Sequence, residues 1–124
     1  MNRMDRTRVL IADDSPVARN MLIRMLSNED GIEVVGEADT AQSCVTMLDE
    51  AGPDVILLEA AIGGGMSLPR LIGSIRDIKP YVSIVLCVEL NASEEIIKAV
   101  DRSASDIIRK PYNKPNLLRV LRSI

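Results

Sequence analysis

Short apolar runs alternate with amphipathic segments five times along this chain of 124 residues. The runs are rich in β-branched residues, as is typical of strands buried on both faces of a parallel sheet. They lie at Arg8–Ala12, Glu33–Glu37, Val55–Leu58, Ser83–Val88 and Asp106–Ile108. The alternation predicts a (βα)5 fold of the α/β class, a doubly wound five-stranded parallel sheet with helices on both faces. No linker or repeat interrupts the pattern, so we expect a single domain over residues 1–124, with 1–6 as a flexible N-terminus.

Each strand candidate is followed by a segment in which apolar residues recur every three or four positions, which predicts a helix. Ser15 and Pro16 are a start signal for the first helix, Gly52-Pro53 is a stop signal for the second, and Asn113 is an N-cap for the fifth. The apolar faces are Ala18, Met21, Leu22, Met25 and Leu26; Ala41, Cys44, Val45 and Leu48; Leu68, Leu71, Ile72 and Ile75; Ile96, Ile97 and Val100; and Leu117, Val120, Leu121 and Ile124.

Composition excludes several classes of function. The chain has no Phe, no Trp and two Tyr, too few aromatic side chains for a platform that stacks single-stranded nucleic acid. It has no His, and Cys44 and Cys87 fall on apolar positions, so we expect reduced core cysteines rather than a zinc site. The N-terminus lacks a signal-peptide pattern and no apolar run reaches transmembrane length, which predicts a cytoplasmic protein that does not contact membranes.

Charge is unevenly distributed along the chain. Residues 98–124 carry seven basic and two acidic side chains, a net +5, whereas residues 1–97 carry eight basic and sixteen acidic side chains, a net −8. A basic C-terminal end on an acidic body favours a docking surface for an acidic protein partner over a nucleic-acid grip. The alternative, solvated helix faces that are basic without a partner, remains open.

Charged residues directly follow three of the strand candidates: Asp13-Asp14, Glu59 and Lys110. In doubly wound sheets, function gathers beyond the carboxyl ends of the strands, so these side chains are expected to share one pocket. Three carboxylates beside one ammonium are stable only if they compensate each other or bind a cation. Strand geometry therefore predicts an ion pair between Lys110 and Glu59. The alternatives are helix capping for the two aspartates and a surface charge for Lys110.

Three segments carry a resemblance to a known family: VLIADDSPVAR (Val9 to Arg19), PDVILL (Pro53 to Leu58) and Lys110-Pro111-Tyr112. With these motifs at these spacings, the chain resembles the receiver domains of two-component response regulators, especially the stand-alone chemotaxis type. The similarity extends from Thr7 to Ile124. It implies a flavodoxin-like three-layer sandwich with strand order 2-1-3-4-5.

The resemblance assigns roles to the strand-end residues. Asp13 and Asp14 would hold a magnesium ion, with the backbone carbonyl of Ala61 and the acid at position 59 as further ligands. Position 59 is where the family has the aspartate that accepts the phosphoryl group, and here it is Glu59. Lys110 would contact the phosphoryl oxygens, and the peptide bond from Lys110 to Pro111 would be cis. The resemblance thus implies a bound magnesium ion. The alternative is that the altered pocket binds no ion.

Several positions depart from the family pattern. Val88 stands where a Ser or Thr normally contacts the phosphoryl group, and Ile107 stands where an aromatic residue normally changes rotamer. The loop after the acceptor position contains Gly63-Gly64-Gly65 and is one residue longer than usual; without a P-loop lysine, it is expected to be a flexible loop rather than a phosphate cradle. These changes predict a pseudo-receiver: a protein-interaction module that is not an enzyme and acts independently of phosphorylation. The alternatives are a receiver that still accepts phosphoryl from a histidine kinase with Mg²⁺ and, more remotely, a flavin- or nucleotide-binding module.

Family analogy also predicts a contact face on the fourth helix, fifth strand and fifth helix. The expected partner is a signalling protein, such as a histidine kinase, a chemotaxis protein or another output protein, and the chain itself is expected to be a monomer or a weak homodimer. The basic residues of that face are Lys98, Arg102, Arg109, Lys114, Arg119 and Arg122.

Overall fold

A computed structural model of the chain describes residues 6–93 and 104–124. The five strands are β1 (Thr7–Ala12), β2 (Ile32–Ala38), β3 (Val55–Glu59), β4 (Ser83–Val88) and β5 (Asp106–Arg109). The helices of the described ranges are α1 (Pro16–Leu26), α2 (Ala41–Ala51), α3 (Leu68–Ile78) and α4 (Lys114–Arg122). Each predicted strand is confirmed to within a residue at either end. The helix predicted around Ile96–Val100 lies outside the described residues, so α4 is the fifth helix of the sequence pattern.

All five strands are parallel and form one sheet in the order β2-β1-β3-β4-β5. The predicted fold class and strand order are therefore confirmed. The register sets Ala12 opposite Leu58 and Glu59 opposite Cys87. Because parallel strands end at the same edge, the residues that follow β1, β3, β4 and β5 gather at one edge of the sheet. The candidate functional site lies at this edge.

The sheet is buried between two apolar layers. One layer includes Leu10, Ile56 and Ile84 from the strands and packs under α2 and α3; the other includes Val9, Leu57 and Val85 and packs under α1 and α4. Successive residues of each strand point to opposite layers, as the strand period requires. This alternation decides which strand-end side chains can meet, because only residues of the same parity lie on one face.

Two residues assigned to apolar helix faces are exposed instead. Met21 is 43% exposed and Ile124 is 45% exposed. The buried stripe of α1 is formed by Leu22 and Leu26, one helical turn apart, so Met21 lies at its solvent margin. Ile124 lies beyond the end of α4 at Arg122, where the helical period no longer directs its side chain to the core.

The helix ends carry the signals seen in the sequence. Ser15 caps α1, with its hydroxyl accepting from the Ala18 amide at 3.2 Å, and Asn113 caps α4. Gly52 ends α2 in the left-handed region at φ +55°, which Gly adopts without a steric penalty. Both cysteines are reduced and buried, as predicted. None of the helices in the described ranges is long and apolar enough to span a bilayer.

Candidate functional site

Asp13 is a buried carboxylate directly after β1, with 2% of its surface exposed. Its Oδ1 accepts from the backbone N–H of Ser15 at 2.9 Å, so this acid helps to start α1. Its Oδ2 is also buried but accepts from no group within the described ranges. Asp14, the next residue, faces solvent. Asp13 thus lies in the pocket and forms a turn directly before the Ser15 cap, whereas Asp14 is exposed.

Glu59, the last residue of β3, is the second buried acid, with 4% of its surface exposed. Its Oε1 accepts from the Ala61 amide at 3.2 Å. Its Oε2 forms an ion pair with Nζ of Lys110, which is the contact expected from the strand geometry. Both oxygens of the carboxylate are therefore engaged inside the protein.

The ammonium of Lys110 lies between two carboxylates. Besides Glu59, it contacts Oε1 of Glu89 at 3.3 Å. Partial burial acts to lower the pKa of Lys110, but hydrogen bonding and Coulombic attraction to Glu59, followed by smaller contributions from Glu89 and Asp13, outweigh burial and raise the pKa above its ordinary value. Lys110 is thus a fixed positive charge at neutral pH, already paired on both sides.

The residues around Lys110 hold its backbone in place. Its amide donates to the carbonyl of Val88 at 2.8 Å, the peptide bond to Pro111 is cis, and its ammonium lies 5.9 Å from the centroid of the Tyr112 ring. The Tyr112 hydroxyl is buried near the thiol of Cys87, and burial, that thiol and the nearby acids raise its pKa. Burial likewise raises the pKa of Cys87 to about 12. Neither group is suited to ionise at neutral pH.

Val88 and Ile107 lie in an apolar layer on the face of the sheet opposite Glu59 and Lys110. Val88 is 2% exposed and belongs to the layer under α2 and α3, and Ile107 packs against that same layer. Valine carries no hydrogen-bond donor on its side chain. No hydroxyl therefore lies at the end of β4 to contact an anion in the cleft.

The glycine run after β3 makes a close approach to the start of α2. The carbonyl of Gly63 accepts from the Ala41 amide at 2.8 Å. Gly64 has φ +121°, and a Cβ added there would lie 2.9 Å from the same amide nitrogen. The prediction of a loop that is simply flexible is therefore incomplete, because the missing side chains allow this loop to pack against α2.

The acids fit a bound metal ion only in part. Within the described ranges, no three His, Cys, Asp or Glu side chains are grouped so as to hold a metal. The unsatisfied Oδ2 of Asp13 is the kind of oxygen that Mg²⁺ prefers. However, Asp14 is exposed and Glu59 is occupied by Lys110 and the Ala61 amide. The predicted ligand set of Asp13, Asp14, Glu59 and the Ala61 carbonyl is thus not grouped as a metal site within the described ranges.

The basic residues expected at a contact face are largely engaged within the protein. Lys98 and Arg102 lie outside the described residues. Arg109 donates to the carbonyls of Leu90 and Ala92 at 3.1 and 3.4 Å, and Arg119 donates to Asn116. Lys114 and Arg122 both pair with Glu29, and the hydrogen bond from Lys114 lowers the pKa of that carboxyl. Lys114 and Arg122 therefore share the negative charge of Glu29, although both remain about half exposed.

Two site residues were missed by the sequence reasoning. Glu89 follows β4 directly and contacts Lys110, so the strand-end rule that selected Glu59 could have found it. Arg19 donates to the backbone carbonyl of Asp13 at 2.7 Å and pairs with Glu37 at 3.2 Å. The sequence signal for Arg19 is weaker, since it lies near the start of α1 and the helical pattern does not show which loop its side chain contacts.

Known proteins similar to this chain include a response regulator and a chemotaxis protein. The sequence profile of the response regulator receiver domain matches residues 9–122. Chemotaxis protein CheY of Halobacterium salinarum is 29% identical over 119 residues, which cover 94% of each chain. Response regulator GacA of Pseudomonas aeruginosa is 36% identical over 85 residues, 66% of this chain, and the match spans only 39% of that relative's length.

A solved structure shares the fold described above. The response regulator domain of Thermotoga maritima CheB superimposes with a TM-score of 0.81 at 25% identity, covering 95% of each chain.

Proposed function

The chain belongs to the response regulator receiver domain family of two-component signalling, and from this premise we propose that it is a pseudo-receiver. In this proposal it binds another signalling protein in a manner that does not depend on phosphorylation, and it catalyses no reaction. The observation that carries the proposal is the ion pair between Glu59, in the acceptor position, and Lys110. The cleft contains its own anion on the lysine that would otherwise contact a phosphoryl oxygen.

Acceptor chemistry is disfavoured at Glu59 for a geometric reason. Phosphoryl transfer requires a carboxylate oxygen in line with the incoming phosphorus, and a displacement of about 1 Å can lower the rate about a hundredfold. The extra methylene of glutamate extends the carboxylate by about that much, and Oε2 contacts the Lys110 ammonium. Oε1 accepts from the Ala61 amide. A donor would have to displace one of these contacts before an oxygen could attack.

Readout is disfavoured at the other end of the cleft. Val88 offers no hydroxyl to an added phosphoryl group, and Ile107 has no ring to reorient. Both side chains pack in an apolar layer instead. A phosphoryl group, even if it arrived, would lack the hydrogen bond that couples it to the end of β4. The proposed protein therefore presents one constitutive state to its partner.

The partner is proposed to be a protein of a two-component or chemotaxis-like pathway, because two of the matched relatives are chemotaxis proteins CheY. The proposed contact face is β5, α4 and the segment around Lys98 and Arg102. Arg109 and Arg119 lie on that face, alongside Lys114 and Arg122, which are shared with Glu29.

A second candidate function is a receiver that still takes phosphoryl from a histidine kinase with Mg²⁺. The buried Oδ2 of Asp13, which has no hydrogen-bond donor within the described ranges, favours it, since a cation would satisfy that oxygen. Incubation with acetyl phosphate and Mg²⁺, followed by intact mass measurement, separates the two functions. We expect no added phosphoryl group on the wild-type protein. Stoichiometric addition at a cleft acid would reject the pseudo-receiver proposal.

A double variant is the positive control for the absence of phosphorylation that we expect in the wild-type protein. Glu59→Asp together with Val88→Thr restores the acceptor length and the hydroxyl, so this double variant is expected to gain one phosphoryl group under the same conditions. Asp13→Asn in that background serves as a control for the acid cluster and should reduce the gain. If the double variant also fails while folding normally, the longer loop at 60–67 becomes the cause to examine.

A further inference from the structure

The segment that follows β4, residues 89–92, is held from both faces of the sheet. It forms a turn in which the Ala92 amide donates to the Glu89 carbonyl at 3.1 Å. From one face, Arg109 donates to the carbonyls of Leu90 and Ala92. From the other, Lys110 contacts the side chain of Glu89 at 3.3 Å. Neighbouring residues at the end of β5 thus hold the turn in two different ways.

These two attachments depend on different partners. Arg109 binds backbone carbonyls and shares strand parity with Ile107, on the side of the sheet away from Glu59. Lys110 shares parity with Ile108 and contacts Glu59 and Glu89 at once. The Lys110 side chain therefore links the turn to the acceptor position.

We propose that Glu89 is a positioning residue that couples the turn after β4 to the buried carboxylate of Glu59, with Lys110 as the bridge. The negative charge of Glu59 keeps the ammonium at the cleft, and the ammonium in turn keeps Glu89 and its turn against the end of β5. This relay of three side chains takes the place of the hydroxyl contact that Val88 cannot make. The inference deepens the proposed function, because it identifies how a constitutive anion at position 59 reaches the surface.

The coupling between Glu89 and Glu59 is expected to be small but measurable. The Glu59 side chain is 5% exposed and that of Lys110 is 21% exposed, so the inner pair is little screened by solvent. The Glu89 side chain is 64% exposed, which makes the outer pair weaker. Exposed pairs of this kind shift a local equilibrium by about two- to fivefold. The expected effect is thus a change in local opening of the turn rather than a change in fold.

Hydrogen exchange monitored by NMR tests the relay on the full chain, with the Ala92 and Ala61 amides as reporters. Glu59→Gln, Lys110→Met and Glu89→Gln are each expected to raise Ala92 exchange about two- to fivefold. Glu59→Gln combined with Glu89→Gln should raise it no further than either change alone, because both act through Lys110. Reciprocally, Glu89→Gln should shift the Ala61 amide resonance, since that N–H donates to Glu59.

The control variant is Glu33→Gln, another partly exposed glutamate, which pairs with Arg8 at 3.8 Å far from the turn. It should leave both reporters unchanged. Glu89→Asp, which keeps the charge, should restore part of the protection. An unchanged Ala92 amide in Glu59→Gln, or additive effects in the double variant, would overturn the relay. Neither result involves a phosphodonor, so failure here is distinct from failure of the pseudo-receiver proposal, which is decided by mass.

Discussion

Removal of the Lys110 ammonium should leave a buried, unpaired negative charge at Glu59. In Lys110→Met the apolar stem is retained but the partner of Oε2 is lost, while Oε1 keeps its hydrogen bond from the Ala61 amide. Loss of one partner from a fully buried ion pair destabilises a protein by about 3–5 kcal/mol. Lys110 is 21% exposed, so we expect a smaller loss of stability, about 2–3 kcal/mol.

Urea denaturation followed by circular dichroism measures this loss at pH 7. For a domain of this size, the dependence of the unfolding free energy on urea is about 1–3 kcal/mol per molar, so a loss of about 2–3 kcal/mol should lower the midpoint by about 0.7–3 M. Glu59→Gln added to Lys110→Met should recover most of the loss, because it removes the charge that the single variant leaves unpaired.

Lys79→Met is the matched control. Lys79 pairs with Asp49 at 3.8 Å on the surface, where the two side chains are 36% and 85% exposed. Such a pair contributes about 0–1 kcal/mol, so its removal should have little effect. A Lys110→Met variant that is no less stable than Lys79→Met, or a double variant that is less stable than Lys110→Met, would refute the argument that Glu59 depends on its lysine.

Two further predictions concern the frame of the site. Gly64→Ala should destabilise the protein by about 1–3 kcal/mol in urea denaturation, because a Cβ at φ +121° meets the Ala41 amide nitrogen at 2.9 Å. At Gly65 an added Cβ has no atom within 4 Å, so Gly65→Ala should destabilise the protein less. A larger loss of stability in Gly65→Ala than in Gly64→Ala would contradict the packing of this loop. Burial raises the pKa of Cys44 to about 11 and of Cys87 to about 12. Both thiols are therefore protonated below these values, and at pH 8 a disulfide reagent should modify them much more slowly in the folded protein than in denaturant; equal rates would show that they are not buried.

The sequence predicted the fold well because its local and global signals agree. Runs such as Val55–Leu58 are typical of a strand buried on both faces, and the caps at Ser15 and Asn113 mark where helices begin. The side chains of Met21 and Ile124 were assigned to the core in error. Apolar character alone does not place a residue on the buried stripe of a helix, since a stripe narrows where the helix meets the edge of its layer or ends.

The sequence predicts the positions of those site residues that lie at strand ends, because strand order determines where they meet. Asp13, Glu59 and Lys110 end their strands at one edge, so parity and strand order are enough to bring them together. Glu89 obeys the same rule, because it directly follows β4 and its side chain reaches Lys110. The approach of Gly63 to Ala41 depends on the path of a loop, and the engagement of Lys114 with Glu29 depends on a helix and a turn far apart in sequence. Neither follows from local pattern.

Glu59 already occupies the anion position beside Lys110 in the cleft. Beryllium fluoride, an analogue of the phosphoryl group, shows whether that position can accept another anion when it is added with Mg²⁺ and observed by ¹⁹F NMR. We expect no bound fluoride resonance with the wild-type protein and a bound resonance with Glu59→Asp. A bound resonance with the wild-type protein, accompanied by shifts of residues around Lys110, would contradict this expectation.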